Sequence, residues 1–155
     1  MDFLDAVSVL EPTEDEVSLA ASIEEISLAE GLDIDVGESQ LFAVALMRSD
    51  TLVATGDKRA VCSCSGIEPG FPEIAGLRGR IISTEQVLAR LLDLIDHEAL
   101  RARVCADREA DKTAEICFSC SKEAVPVAEV LSALESYQKD LATRSMYYTS
   151  DSLAI

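Results

Sequence analysis

TLVATGDKRA, residues 51–60, follows closely on GESQLFAVAL, residues 37–46, and the fold turns on reading the two together. The first is an apolar strand that runs into Thr55-Gly56-Asp57. The second is a helix rich in Leu and Ala, opened by an acid at Glu38. A helix from Glu38 to Arg48 rises about 16 Å, and a strand over 51–55 runs back about 17 Å. The chain therefore leaves one edge of a sheet at Glu38 and returns to the same edge at Asp57. That edge, at the carboxyl ends of the strands, is where open α/β sheets bind ligands.

Working outward, FLDAVSVL at 3–10 alternates loosely and reads as a strand. Thr13 with Glu16 three residues on makes a capping box for the helix that follows, and Gly31 stops it. LDIDV at 32–36 is short and extended or looped. TLVAT at 51–55 is nearly continuous in apolar character, which predicts burial on both faces. A short helical piece runs past Asp57 through Cys62, then the Gly/Pro-rich SGIEPGFPEIAGLRG leads to a third strand, RIIS at 80–83. EQVLARLLDLIDHEAL is helical, and so is most of the chain beyond 98, with Pro126 in the first turn of the last helix. Strands alternating with amphipathic helices argue for an α/β domain with a parallel sheet. From Met146 onward periodicity is lost, which predicts a frayed tail.

The chain has 155 residues, enough for one domain with its own core. Its net charge is −16, which argues against non-specific attraction to nucleic acid. It does not exclude an acid-held divalent metal that supplies the positive charge itself, and it leaves room for a basic partner. The longest clean apolar run, LFAVALM at 41–47, is far short of a membrane span. No signal peptide is visible, and the five cysteines are odd in number and irregularly spaced. Together these point to the cytoplasm and to reduced thiols.

Carboxylates gathered at one edge suit Mg²⁺ or Mn²⁺, which take hard oxygen ligands and keep several waters. Glu38 and Asp57 are the candidate ligands and the candidate catalytic residues, with Asp35 at the rim. A metal there lowers the pKa of a bound water and steadies charge on a phosphodiester. Thr55 should point the same way as Asp57 and hydrogen-bond a ligand carboxylate. Lys58 would meet a substrate phosphate. The plainer alternatives are that Glu38 answers the helix dipole, that Gly56-Asp57 is a turn, and that Lys58 and Arg59 are solvated.

GESQLFAVALMRSDTLVATGDKRA, residues 37–60, resembles the second half of a PIN domain, the metal-dependent endoribonuclease fold of many toxin–antitoxin toxins and RNA-processing enzymes. Glu38 matches the family's helix-opening acid, and Thr55-Gly56-Asp57 matches its strand-end Thr-x-Asp. The resemblance implies an incomplete PIN-like parallel sheet flanked by helices. The α/β portion is 1–83, a helical extension packed on it covers 84–148, and 149–155 is tail. It also implies RNA as substrate. The family begins with a strand ending in Asp and a second acid on a helix. Asp2 and Asp5 stand too close to Glu38 to serve, so the chain resembles a PIN domain whose front half is absent. The isolated chain is then expected to be weak or inactive as a nuclease. Losing the central strand leaves TLVAT with an open edge, which predicts a second copy or a protein partner covering it. The competing reading is a non-catalytic acidic interaction protein or regulatory subunit on the same scaffold.

Cys62, Cys64, Cys117 and Cys120 could form a four-thiolate zinc site. The spacing Cys-x-Cys and the apolar setting EICFSC favour plain thiols, so zinc is not expected. His97, the only histidine, follows LLDLID at a helix end, where a cation suits the dipole. Val87, Leu91, Leu94 and Ile95, then Val127, Val130, Leu131, Leu134 and Leu141, form helical stripes that predict packing between helices. Glu123, Glu129, Glu135 and Asp140 lie around them as a solvated face.

Overall fold

In the computed structural model, which describes residues 8–149, the chain folds around a small parallel sheet flanked by helices. Helix α1 spans Glu14–Glu30. Thr13 Oγ1 accepts the Glu16 N–H at 3.3 Å, and Glu16 Oε2 accepts the Thr13 N–H at 2.8 Å, so the capping box is formed. Gly31, at φ +64°, takes the left-handed turn that ends the helix without Cβ strain. Residues 8–10 of the expected first strand are not a strand, and Val9 is 91% exposed. The rest of that segment lies outside the described residues.

Helix α2 spans Val36–Met47 and runs back along α1. Its C-terminal Arg48 donates to both oxygens of the buried Glu16, at 2.6 and 2.8 Å. That guanidinium, with the Thr13 amide, holds the Glu16 carboxyl down to about 2. A carboxyl lowered on folding contributes stability above its unfolded pKa and loses it as the pH falls through the folded value. The stability of the protein should therefore drop between about pH 5 and pH 2 more steeply than that of Glu16→Gln. Urea unfolding across that window measures it, and the gap between the two chains should close near pH 2.

Strand β1 is Val53–Thr55 and strand β2 is Ile81–Ser83, parallel with Val53 opposite Ile81. Helix α3, Lys58–Ile67, and a 3-10 turn, Pro72–Leu77, make the crossover between them. Arg80 fixes the fold-back of α2 onto β1. Its guanidinium donates to the carbonyls of Ala45, Arg48 and Thr51 at 2.5, 2.8 and 2.7 Å. A cation on the last carbonyls of a helix suits both their lone pairs and the dipole.

Burial of β1 on both faces does not hold. Val53 is buried, but Ala54 is exposed and Leu52 is 51% exposed. β2 is flanked on one side by β1 and on the other by the chain end, so β1 is the edge among the described residues. Val53 points to the core and Ala54 to the opposite face, which is left open, so the apolar run is covered on one face only.

Helices α4 (Thr84–Leu92), α5 (His97–Ala106), α6 (Lys112–Cys117) and α7 (Val127–Arg144) complete the chain. EQVLARLLDLIDHEAL is therefore two helices. Asp96 accepts the Ala99 N–H at 3.0 Å and starts α5, leaving Leu94 66% exposed in the break. His97 stands at the positive, N-terminal end of α5 rather than the end where a cation suits the dipole. Two cores result. One gathers Ile23, Phe42, Val61, Ile67, Leu77 and Ile81 from α1 to β2. The other gathers Leu88, Phe118, Val130 and Leu134 from α4 to α7. Within the last stripe Val130, Leu134 and Leu141 are buried, while Val127 and Leu131 face outward.

Fraying from Met146 is overturned as far as Thr149. Tyr147 is fully buried in the first core, its carbonyl accepts the amides of Gly79 and Ile81, and Thr149 N–H donates to the Ile81 carbonyl. The chain end thus adds a parallel bridge to the free side of β2, supplying the backbone partners that the side-chain pattern did not announce. Among the described residues, no helix is long and apolar enough to cross a membrane.

Candidate functional site

Asp35 and Asp57 are both helix N-caps, and the local reason is the same for each. Asp35 Oδ1 accepts the Glu38 N–H at 3.0 Å and begins α2, so Glu38 is the third residue of that helix and does not open it. Asp57 Oδ1 accepts the N–H groups of Arg59 and Ala60 at 2.8 and 3.2 Å and begins α3. The pattern Asp35-x-x-Glu38 is itself a legible cap signal. Thr55 Oγ1 accepts the Asp57 N–H at 3.0 Å, so the hydroxyl shapes the turn instead of meeting a carboxylate.

The fold-back brings the acids within electrostatic reach. The Glu38 carboxyl is raised above its ordinary range by its hydrogen bond to Asp35, then by burial, then by the negative charges of Asp35 and Asp57. The same hydrogen bond with Glu38 lowers Asp35. Burial pushes Asp57 upward, but hydrogen bonds from the Arg59 guanidinium and the amides of Ala60 and Arg59 outweigh it and leave Asp57 low.

Asp35 and Asp57 line one open groove of about 360 Å³ between the C-terminal part of α1, the 32–36 loop and the start of α3. Glu24 and Asp33 also line it, two acids that the sequence reading passed over because neither belongs to a motif. So does Arg59, whose guanidinium sits 3.1 Å from Asp57 Oδ2.

The donor set fits a divalent cation only in part. Glu38 and Asp35 are hard oxygen donors crowded enough to share a proton, an arrangement a cation relieves. Asp57, by contrast, already has one oxygen on two amides and the other on Arg59. Among the described residues, no group of three or more His, Cys, Asp or Glu is placed to hold a metal ion.

Lys58 is turned inward. Its ammonium lies 2.5 Å from Glu85 Oε1, at the first turn of α4, and 4.3 Å from the centre of the Tyr137 ring on α7. To meet a phosphate it would have to leave both. The sequence separation of 27 positions between Lys58 and Glu85 hid this pair.

The thiols depart from expectation at one pair. Cys105 and Cys120 form a disulfide, with Cα atoms 5.3 Å apart, and Cys62, Cys64 and Cys117 are free. Cys64 is buried in the first core and Cys117 in the second.

Comparison with protein-family models, with curated proteins and with solved structures returns no match for this chain.

Proposed function

We propose that the chain is the metal-proximal part of a PIN-like α/β unit, related to Mg²⁺- or Mn²⁺-dependent endoribonucleases. Its carboxylate edge is incomplete, and the isolated chain is weak or inactive on RNA. The reading rests on three acids at the starts of α2 and α3: Asp35 and Asp57 line one groove, Glu38 is hydrogen-bonded to Asp35, and the charge of Asp57 adds a smaller upward push to the Glu38 carboxyl. Glu38, Asp35 and Asp57 would contribute oxygen ligands, and a second copy or a partner protein on the open edge of β1 would supply the remainder. Bound there, the metal would supply charge stabilisation to a phosphodiester.

A Mn²⁺ titration followed by NMR tests the reading. Paramagnetic broadening should centre on Asp35, Glu38 and Asp57 at Mn²⁺ concentrations of the order of a millimolar, and Asp57→Asn should abolish it. RNA hydrolysis by the chain alone should not exceed that of Asp57→Asn. Because the raised Glu38 carboxyl holds a proton at higher pH than usual, and the cation must displace that proton, broadening should weaken as the pH falls through its titration. Broadening centred elsewhere, or unchanged by Asp57→Asn, would reject the metal assignment.

One observation favours the second reading, a non-catalytic acidic interaction protein. Arg59 already neutralises Asp57 in a groove whose rim carries Leu28, 73% exposed. On that reading Mn²⁺ broadens no signal in the groove, and a basic partner takes its place.

A further inference from the structure

The fold leaves an apolar surface at the end of the α1–α2 pair away from the acidic groove. Arg48, just past the last residue of α2, ties three stretches of chain together there. Its guanidinium donates to the buried Glu16 on α1 and, at 3.4 Å, to the Glu11 carbonyl. Its own carbonyl accepts the Thr51 N–H at 3.1 Å, just before β1. Val9, Leu10, Val17, Met47 and Leu52 each stand one or two positions from a residue of this knot, and each is between 48% and 91% exposed. Single exposed apolar side chains are ordinary, but five around one hydrogen-bonded knot mark a contact surface. Glu11, Glu14, Asp15 and Asp50 are exposed beside them. The cations at this end are already engaged. Arg48 is neutralised by Glu16, and Arg80 donates to the carbonyls of Ala45, Arg48 and Thr51. The surface is therefore apolar with an acidic rim.

We propose that this end of the α1–α2 pair docks a basic amphipathic segment of a partner protein. The segment sets apolar side chains on Leu10, Val17, Met47 and Leu52, and lysines or arginines against Glu11, Asp15 and Asp50. Charge complementarity selects that occupant. A second copy of this chain, at net charge −16, would bring one acidic rim against another. An anionic lipid surface would meet the same repulsion. A basic amphipathic segment covers the apolar side chains and pairs with the rim at once. Glu16 stands about 18 Å along α1 from Leu28, which lines the acidic groove. Docking here therefore needs neither a metal nor a ligand at Asp35 and Asp57.

The test titrates the whole chain into two fluorescently labelled synthetic peptides and follows anisotropy. Both peptides carry leucines at helical spacing, one with lysine and the other with glutamate at the remaining positions. The lysine peptide should bind about tenfold or more tighter than the glutamate peptide, and raising NaCl from about 50 to about 500 mM should weaken it about fivefold or more. Met47→Ser with Leu52→Ser should weaken it about tenfold, while Glu24→Gln with Asp33→Asn in the groove should change it by less than about twofold. Leu10→Ser, outside any helix or strand, should weaken it in the same direction and repeats the test where no element can be lost. Failure of the lysine peptide to bind, or binding untouched by Leu10→Ser and by the Met47 and Leu52 pair, overturns the site. So does a loss confined to the groove variant, which would put the basic partner beside Asp35 and Asp57. Equal binding of the two peptides overturns the charge argument. Self-association of the chain in ultracentrifugation that Leu52→Ser abolishes would make the occupant a second copy and overturn the proposal.

Discussion

Lys58→Ala should destabilise the protein by about 3–5 kcal/mol, although lysine at the start of a helix reads as a surface residue. Glu85 is 3% exposed, one of its oxygens meets the Lys58 ammonium, and the other is buried with no hydrogen-bond partner. Removing the ammonium leaves that carboxylate in a low-dielectric setting with no compensating charge. The Tyr137 ring face, which also holds the ammonium, loses its cation. Replacing both members, Lys58→Met with Glu85→Leu, should return much of the loss, because the cost of a broken buried pair lies chiefly in the orphaned charge. Denaturant unfolding of the two variants measures the difference. A loss for Lys58→Ala below about 1 kcal/mol, the range of exposed pairs, would place the Glu85 carboxylate in contact with water.

Tyr147→Ala should cost a comparable amount, about 3–5 kcal/mol. The ring is fully buried in the first core, its hydroxyl donates to Glu68 Oε2 at 2.5 Å, and the Arg78 guanidinium lies 5.9 Å from the ring centre. Truncation removes the ring contacts and leaves a cavity where Ile81 and Val61 pack. It also frees the segment that bridges β2. Tyr147→Phe keeps the ring and loses one hydrogen bond, so about 1 kcal/mol is expected. Near-equal losses for the two variants would mean that the hydroxyl, and not the ring, anchors the chain end. A Tyr147→Ala chain of unchanged stability would mean that the end does not dock at all.

These two residues mark where local reading stops. The helix starts at Thr13-x-x-Glu16 and the stop at Gly31 were legible because a cap is a transaction among neighbours within one turn. The strands at 53–55 and 81–83 were legible as apolar β-branched runs, and their parallel pairing follows from the helical crossover between them. Asp35 and Asp57 were picked out for metal chemistry, and the structure gives each a cap to make first, a role that the pattern Asp35-x-x-Glu38 also announces for the first of them. Lys58, Tyr147 and the Cys105–Cys120 bond left no such trace. Their partners are 27, 79 and 15 positions away, and the short motifs around them fit several environments equally well.

Residue order alone therefore settles a mixed helix and strand chain with apolar stripes and placed caps. Caps and periodicity are local, and each is decided by residues within a turn or two. Which face of β1 is covered, which cysteines join, and whether Lys58 looks inward or outward were settled by packing between elements remote in the chain. Those outcomes are differences between burial, charge pairing and chain entropy, and no window of sequence contains both sides of such a difference.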